Sequence, residues 1–368
     1  MGEWKEVELS ELIDFGNGKK KPESEGDIPI YGGNGILGYS ADFNYENETI
    51  IIGRVGAYCG SVYYENKPIW VSDNALAAKA INGNSTKFLY YFLKNANLNQ
   101  HAGGSSHPLV TQTLLNSLEY DICIDKTEQK AIAEVLSSLD DKIDLLHRQN
   151  QTLEQMAETL FRQWFVEEAD EDWAIRTLND VLSVKGGTTP STKNPDYWDG
   201  DIHWTSPRDI TSLNSIYLFD TERKITEEGL RKISSGLLPK GTLLMSSRAP
   251  VGVLAFTEVP IAINQGYIAV LDNKGFTKEF LYLWLKTNID YVQSYANGST
   301  FLEISKTAFK SLEIQSPPTE LRNEFQKLII PNFEKIKSNQ TQILTLTALR
   351  DTLLPKLMSG EVRIDTDE

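Results

Sequence analysis

The segment KTEQKAIAEVLSSLDDKIDLLHRQNQTLEQMAETLFRQWF, residues Lys126–Phe165, decides the architecture of this 368-residue chain. Its seam positions recur in alternating steps of four and three from Ile132 to Trp164, which is the period of a coiled coil. An ordinary amphipathic helix on a core would not keep a heptad for so long. Asn150 lies in this seam, where one polar residue can fix the register of paired helices at some cost in stability. The segment therefore predicts a long helix that packs against a second helix.

A second, looser stripe of Ile and Leu near the end of the sequence offers the partner helix. Asn332, Asn339 and Arg350 interrupt this stripe, and Pro331 predicts a kink or a delayed start. Two helices of this kind would satisfy one another as an antiparallel pair, with two globular heads held apart at a fixed spacing. The predicted seam consists of Ile132, Leu136, Leu139, Ile143, Leu146, Asn150, Leu153 and Leu160 in the first helix, and Ile336, Ile343, Leu346 and Leu353 in the second.

The two helices belong to an internal repeat that spans almost the whole chain. Trp4 in EWKEVELSELIDFGNG matches Trp173 in DWAIRTLNDVLSVKGG, and FLYYFLKN from Phe88 matches FLYLWLKT from Phe280. Four such blocks follow one another in the same order, which chance does not explain, and a repeat of this kind indicates two copies of one fold.

One region of the repeat differs in length between the copies. Gly18 and Arg54 enclose 35 residues, whereas Gly187 and Arg248, at the matching positions, enclose 60. Two copies of a scaffold that carry different recognition surfaces would differ in this way, since loops on a rigid scaffold carry specificity. Drift in an unimportant loop is the alternative.

Each copy is interpreted as a globular head followed by a long helix. Runs of β-branched residues broken by Gly, Asn and Pro predict strands and turns, with a few short helices. The predicted boundaries are 1–125 for head 1, 126–167 for the first helix, 168–317 for head 2 and 318–368 for the second helix. The predicted fold class is α+β: two α/β heads in tandem repeat, joined by two long helices that form an antiparallel coiled coil.

Composition excludes several classes of protein. No run of about 18 apolar residues exists to cross a membrane, and the first residues lack the pattern of a signal peptide. Cys59 and Cys123 stand far apart without a CxxC motif, which favours a reducing cytoplasm and argues against a disulfide framework. The four histidines show no ligand spacing, so we expect no metal site. The net charge of −15 argues against a protein that grips DNA alone, because phosphate neutralisation supplies most of that affinity.

Several long blocks resemble one known family. Lys126–Phe165 resembles the central repeat helix of the specificity subunits of Type I restriction–modification systems, and LRDTLLPKLMSGEV, residues Leu349–Val362, resembles their distal helix. In head 2, GTLLMSSRAPVG, INQGYIAV and NGSTFLEIS are similar to blocks of their target-recognition domains. The resemblance covers essentially the whole chain, in the order head, helix, head, helix.

This resemblance implies a job and a set of partners. Each head would be a target-recognition domain that reads one half of a bipartite double-stranded DNA sequence. The chain itself would have no catalytic residue and no cofactor. Two modification subunits docked on the helices would carry S-adenosylmethionine and methylate adenine, and restriction or motor subunits would use ATP.

Polar and basic side chains on loops are the candidates for contact with DNA, because phosphates and base edges are both read by hydrogen bonds. In head 1 the candidates are Lys19, Lys20, Lys21, Asn34, Arg54, Tyr58, Asn74, Ser105, Ser106 and His107. At the corresponding places of head 2 they are Lys185, Thr188, Thr189, Lys193, Arg208, Arg248, Asn264, Gln265, Ser299 and Thr300.

Structural roles compete with several of these assignments. A lysine run is commonly a solvated loop, and the two arginines that follow apolar strands, Arg54 and Arg248, could be buried and structural. Asn74 and Asn264 have the chemistry of turn caps.

Two short motifs offer enzymatic alternatives. Asn194-Pro195-Asp196-Tyr197 is similar to the Asn-Pro-Pro-Tyr box of adenine methyltransferases, but it lacks the second proline and turn chemistry explains it better. Glu128-Gln129-Lys130 has the spacing of a nuclease motif, but it opens the long helix behind Asp125, a plausible N-cap. No P-loop is present. The remaining alternative is a two-headed scaffold or regulatory protein that does not read DNA, which the acidic charge would favour.

Overall fold

The computed structural model describes residues 3–103, 108–272, 274–298 and 302–364. The chain divides into two compact units: the first combines Met1–Asp144 with Leu344–Glu368, and the second is Leu145–Ile343. Each unit therefore contains one head together with part of both long helices.

The secondary structure follows the chain through the first head, then a long helix, then the second head and a second long helix. The first half comprises β1 (Trp4–Glu8), β2 (Ile13–Asn17), β3 (Ile28–Gly32), β4 (Gly35–Ser40), β5 (Thr49–Gly53), β6 (Val62–Glu65), β7 (Trp70–Val71), β8 (Ala75–Ala80), α1 (Thr86–Asn95), α2 (Gln112–Asn116), β9 (Glu119–Cys123) and α3 (Lys126–Arg162). The second half comprises β10 (Ala174–Thr177), α4 (Leu178–Val181), β11 (Ser183–Lys185), β12 (Trp198–Thr205), α5 (Pro207–Thr211), β13 (Tyr217–Leu218), β14 (Arg223–Ile225), α6 (Glu227–Leu230), β15 (Leu243–Ser246), β16 (Leu254–Thr257), β17 (Ile261–Ile263), β18 (Tyr267–Asp272), α7 (Lys278–Thr287), α8 (Ile289–Ser294), α9 (Lys306–Lys310), β19 (Glu313–Ser316) and α10 (Thr319–Met358).

Head 1 is built from three small sheets. β2, β8, β5 and β6 form an antiparallel four-stranded sheet, covered by α1, whose apolar face buries Phe88 and Leu89 against Ile50 and Ile52. A three-stranded sheet has the order β4–β3–β7, with β3 antiparallel to β4 and parallel to β7. β1 and β9 close the head as an antiparallel pair.

Head 2 repeats this plan, as the sequence repeat predicts. Its three-stranded sheet has the order β14–β12–β17 with the same antiparallel and parallel pairings, and β10 pairs with β19 as β1 does with β9. The larger sheet has five strands because β13 adds to the edge, parallel to β16. The 60 residues between Gly187 and Arg248 hold the additional elements β13, α5 and α6, so the longer region is structured.

The glycines that open these regions are required by close packing in both heads. A Cβ on Gly18 would lie 1.8 Å from the carbonyl oxygen of Ser72, and a Cβ on Gly187 would lie 1.7 Å from that of Ile263. Both distances are far below contact, so the repeat keeps glycine where the chain crosses the end of a strand.

The long helix α3 begins with a side-chain cap. The Asp125 carboxylate accepts hydrogen bonds from the backbone N–H groups of Thr127 and Glu128, at 2.9 and 3.0 Å. The bond from Glu128 contributes most to holding the pKa of the Asp125 carboxyl below its ordinary value. Asp125 is therefore an N-cap, as predicted.

The second long helix differs from the sequence expectation at Pro331. Since α10 begins at Thr319, well before the proline, the predicted delay in the helix is wrong. Pro331 lies on the exposed side of the helix, where water can satisfy the carbonyl that its missing N–H leaves free.

The two long helices pair in antiparallel fashion inside each unit. In the second unit the buried Asn339 donates from Nδ2 to Oδ1 of Asn150 at 2.9 Å, and Asn332 donates to the Leu153 carbonyl at 3.4 Å. In the first unit the Arg350 guanidinium bonds the Asp140 carboxylate at 2.7 Å. The three polar residues that interrupt the second stripe are thus each paired with α3.

Candidate nucleic-acid interface

One corner of head 1 gathers candidates that are distant in sequence. The turn between β3 and β4 carries the exposed Asn34, and the carbonyl of Gly33 in that turn accepts a hydrogen bond from the Ser61 hydroxyl at 2.5 Å. The backbone N–H of Arg54 donates to the Asn74 carbonyl at 3.0 Å. A Cβ on Gly33 would lie only 3.5 Å from that same carbonyl oxygen. Asn34, Arg54 and Asn74 therefore share one surface, called here the head 1 corner.

The lysine run borders this corner. Lys19 pairs with Ser72 in an isolated β-bridge, two residues before Asn74. Lys19, Lys20 and Lys21 are all exposed, and Tyr58, in the short turn after Arg54, is 52% exposed.

The last three head 1 candidates, Ser105, Ser106 and His107, lie outside the described residues. The flanking residues Gly103 and Leu109 form a β-bridge, and Leu109 forms another with Val55.

Hydrogen bonds between loops form a corresponding corner in head 2. The Thr188 hydroxyl donates to the Lys232 carbonyl at 2.9 Å, and the Thr189 hydroxyl donates to Oε1 of Gln265 at 2.7 Å. The Lys185 ammonium donates to the Ser235 carbonyl at 3.2 Å. These bonds bring together four of the predicted DNA-contacting residues of head 2: Lys185, Thr188, Thr189 and Gln265. We call this surface the head 2 corner.

Arg208 stands beside the same corner. It lies in the first turn of α5 with a side chain that is 82% exposed, and its nearest carboxylate, Glu222, is 3.9 Å away. The preceding residue, Pro207, packs against Gly266. Lys193 is exposed on the loop that leads to β12. Arg208 is therefore free to reach a ligand.

Asn264 has the turn-capping role that was the alternative for it. Its Oδ1 accepts a hydrogen bond from the N–H of Gly266 at 2.8 Å. Its own N–H donates to the Thr205 carbonyl, as Ser72 does to Tyr31 in head 1. Asn264 therefore corresponds to Ser72 in the repeat and not to Asn74.

The predicted equivalence of Arg54 and Arg248 is wrong by one residue. In head 2 it is Ser247 that makes the two backbone hydrogen bonds made by Arg54 in head 1. Arg248 instead matches Val55, since both form a β-bridge on the far side of the same loop. Successive side chains in extended chain point to opposite faces, so the two arginines do not share a direction. Arg248 is 47% exposed and pairs with Glu303 at 3.1 Å, so it is not a buried structural arginine.

Ser299 and Thr300, the remaining head 2 candidates, lie outside the described residues. Their flanking neighbours are placed: Asn297 forms a β-bridge with Glu303, which forms another with Arg248.

Sequence reasoning missed a group of basic residues at the head 2 corner. Arg231 and Lys232 are exposed next to Thr188, and the guanidinium of Arg223 lies 3.5 Å from the centre of the Trp198 ring. The run RKITEEGLRK from Arg223 intersperses four basic with two acidic residues, so it does not stand out as a charge cluster. The one feature of the sequence that could have indicated this run is its position in the region that is longer in head 2, between Gly187 and Arg248.

The two rejected enzyme motifs have structural roles. The Asn194 side chain accepts a hydrogen bond from the Asp196 N–H at 3.1 Å, which is the predicted turn. The Glu128 carboxylate is 3% exposed and is bonded at 2.7 Å by the guanidinium of Arg363. Neither motif is arranged around an open site.

The described part of the chain contains no cluster of three or more metal-ligating side chains. Within the same ranges no helix is long and apolar enough to span a membrane. Both cysteines are free and buried, and burial raises the pKa of the Cys123 thiol to about 12. Burial thus disfavours the thiolate form that nucleophilic or redox chemistry requires.

Exposed apolar residues on the long helices offer surfaces for another protein. Leu145, Met156 and Leu328 are 40%, 51% and 50% exposed. In the second unit an open cavity of about 410 Å³ lies along the helix pair, between Leu145, Leu153 and Lys335. Apolar surface of this kind marks sites of protein–protein contact.

Comparison with known proteins identifies one family. The model of the type I restriction modification DNA specificity domain matches the chain twice, over residues 1–155 and 170–348. The chain is 36% identical over 199 residues to the specificity subunit of type I restriction enzyme MjaIX from Methanocaldococcus jannaschii; this match covers 52% of the chain and 45% of that relative. It is 26% identical over 330 residues to the HindI specificity subunit of Haemophilus influenzae, covering 69% of the chain and 71% of that relative.

A solved structure shares the fold. The crystal structure of the type I restriction–modification S subunit from M. genitalium aligns with a TM-score of 0.68 at 20% identity, over 97% of this chain and 96% of that one. The predicted α+β class, with two repeated heads and two long helices, is confirmed.

Proposed function

Because this chain belongs to the type I restriction modification DNA specificity family, we propose that each of its heads reads one half of a bipartite DNA target. The observation that carries the proposal is the repeated corner. In both heads, loops from three parts of the chain bring exposed amide and cationic side chains to one surface. Asn and Gln can read adenine, Arg can read guanine, and Lys binds phosphate.

Because the chain is acidic, we propose that its partner subunits supply part of the affinity for DNA. With a net charge of −15, long-range attraction to DNA is unfavourable, so the local Lys and Arg side chains must act together with basic surfaces on other subunits. We expect weak DNA binding by the chain alone and strong, salt-sensitive binding by the complex. Nanomolar binding of the isolated chain to its site at physiological salt would contradict this account.

Two modification subunits are the proposed partners of α3 and α10. The repeated helices offer two similar docking surfaces, and their exposed apolar residues supply contact area. The partners would carry S-adenosylmethionine and methylate adenine, and a restriction or motor subunit would use ATP. A mass measurement of the reconstituted complex should find two modification subunits per chain; one copy or none would contradict the assignment.

The test of DNA reading is the methylation motif. The chain is reconstituted with its modification subunits, and methylated adenines are mapped by sequencing. Exchanging residues 1–125 for another head should change one half of the motif and leave the other unchanged. A change in both halves would refute the two-reader proposal. A complex that assembles but modifies no defined site would favour the scaffold alternative.

A second test separates reading from spacing. We propose that the lengths of α3 and α10 set the unread gap in the target. A heptad adds about 10.5 Å of helix at 1.5 Å per residue, which matches about three base pairs. Matched heptads are inserted after Gln149 and at the facing position in α10, because inserting one alone would break the seam at Asn150. An unchanged gap would refute this role of the helices.

A further inference from the structure

Strongly exposed apolar side chains are concentrated in one short region of head 1. Of the eighteen large apolar residues that are strongly exposed in the described part of the chain, six fall between residues 36 and 58. They are Ile36, Leu37, Tyr39, Phe43, Val55 and Tyr58. Scattered exposed apolar residues are normal, but a contiguous group of them marks a binding surface.

Three of these residues lie on one edge strand. β4 pairs with β3 on one side only among the described residues, and it exposes Ile36 by 48%, Leu37 by 48% and Tyr39 by 57%. A register shift in β3 places Leu37 at a bulge, where its side chain packs over Gly32. Bulges of this kind re-aim side chains at functional sites.

The strand is continuous with the head 1 corner. It begins directly after the turn that carries Asn34, and that turn packs against the loops of Arg54 and Asn74. The Lys21 ammonium lies 3.3 Å from the position that a Cβ on Gly38 would take, so a cation stands over the middle of β4. Ile36, Leu37 and Tyr39 therefore adjoin the surface proposed above to face DNA, with the Lys21 ammonium beside them.

Base pairs present one prominent apolar group in the major groove, the C5 methyl of thymine. We propose that the β3–β4 hairpin is a thymine-reading element, in which Ile36 and Leu37 contact thymine methyl groups in the half-site of head 1 and Lys21 binds an adjacent phosphate. This inference rests on the proposed function of the head. The methyl contacts exclude water from both partners, which is the source of their contribution to affinity.

The corresponding strand of head 2 has a different chemistry. β14 occupies the place of β4 in the three-stranded sheet, and it carries the exposed Arg223 and the half-buried Lys224, both of which are basic. Recognition of thymine methyl groups by a hairpin is therefore assigned to the half-site of head 1 alone. Loss of thymine methyl groups should weaken binding in that half-site and not in the half-site of head 2.

Deoxyuridine provides the test, since it pairs as thymine does but lacks the methyl group. Once the motif is mapped, the complex with its modification subunits is titrated with target duplexes that carry dU for dT in one half-site. We expect each substitution in the head 1 half to weaken binding about fourfold, the factor that corresponds to burying one methyl-sized group. Substitution in the head 2 half should leave binding unchanged.

A paired variant ties the effect to the hairpin. Ile36→Gln/Leu37→Gln should weaken binding to thymine DNA and bind thymine and uracil duplexes equally. The matched control is Ile175→Gln on β10 of head 2, a position that is 67% exposed and outside both corners, and it should retain the preference. None of the three residues belongs to a buried core cluster, so the variants should keep a Tm close to that of the wild type.

The inference would be overturned if the wild-type complex bound thymine and uracil duplexes equally, if the double variant kept the preference, or if the half-site of head 1 contained no thymine. Loss of the modification subunits by the double variant would also overturn it, because the hairpin would then be a protein-docking surface. In each case a bipartite motif that persists would leave the proposed function intact. Absence of any bipartite motif would instead refute that function.

Discussion

The buried amide pair Asn150–Asn339 in the helix seam predicts how the stability of the helix pair changes when one or both residues are replaced. Asn339 is fully buried, its Nδ2 donates to Asn150 at 2.9 Å, and its Oδ1 has no hydrogen-bond partner among the described residues. Replacing Asn150 with Leu removes the nearer acceptor and leaves the buried amide only the longer bond to Oε1 of Gln149, at 3.4 Å. Leaving a buried donor poorly satisfied costs about 1–3 kcal/mol. Burial of the new leucine side chain, which is half-buried at this position, stabilises the helix pair by about 1 kcal/mol. The single variant should therefore lose about 1 kcal/mol of stability.

Replacing both residues reverses the sign. Asn150→Leu/Asn339→Leu loses a hydrogen bond worth about 1 kcal/mol but removes the buried polar groups, and a fully buried leucine contributes about 1.5–3 kcal/mol. The double variant should be more stable than the wild type by about 1–3 kcal/mol. Stability would rise while the device that fixes the register is lost.

Native-state hydrogen exchange of the full chain measures this locally, in peptides that cover residues 145–160 and 329–343. Exchange reports the free energy of opening for these helical segments, so it does not require the whole chain to unfold in one step. The reasoning is refuted if the double variant exchanges faster than the wild type, or if Asn150→Leu alone slows exchange. Either result would show that the amide pair contributes net stability.

Four further variants test other parts of the structure. Asp125→Ala removes the N-cap of α3 and should lower the Tm of the chain by a few degrees at neutral pH. Because the pKa of the Asp125 carboxyl is lowered in the folded chain, its contribution is lost as pH falls through that value, so the two Tm curves should converge in acid; parallel curves would contradict this. Glu258→Gln removes a buried carboxylate that Lys240 and Lys337 share at 2.9 and 2.8 Å. Urea unfolding should show that this variant loses about 1–3 kcal/mol of stability. Lys240→Met should lose less stability, because that lysine is 55% exposed. Arg208→Gln should weaken DNA binding by the complex for all sequences and reduce the slope of log K against log salt by about 1. A changed motif with an unchanged slope would show that Arg208 reads a base.

The parts of the fold that were predictable from sequence are those with local or periodic signals. The heptad around Asn150 predicted the first long helix, and the looser stripe of Ile and Leu predicted the second. The repeat that relates Trp4 to Trp173 predicted two heads of one design. The interrupting residues Asn339 and Arg350 could not be assigned partners, because their partners on α3 are about 190–210 residues away in sequence.

The sequence predicted which loops form the candidate DNA-contacting surfaces, but not which residues occupy equivalent positions in the two heads. Arg54 and Arg248 were matched by residue type, but the repeat is aligned by backbone hydrogen bonds, which put Ser247 in the place of Arg54. The exposed hairpin strand was missed because GILGYS reads as an ordinary half-buried strand, and its exposure depends on lying at the edge of a sheet. Sequence periodicity does not report which strand ends at an edge.

The composition of the two units has a consequence during protein synthesis. The second unit is one continuous stretch, Leu145–Ile343, whereas the first needs residues from Leu344 onward to cover its part of α3. The 199 residues 145–343 separate the two parts, so a ribosome adding about 5–20 residues per second leaves the core of the first unit without Leu357 and Met358 for about 10–40 seconds. The head synthesised first is thus the last to be completed, and the emerging chain carries an incompletely covered apolar core that a chaperone could hold.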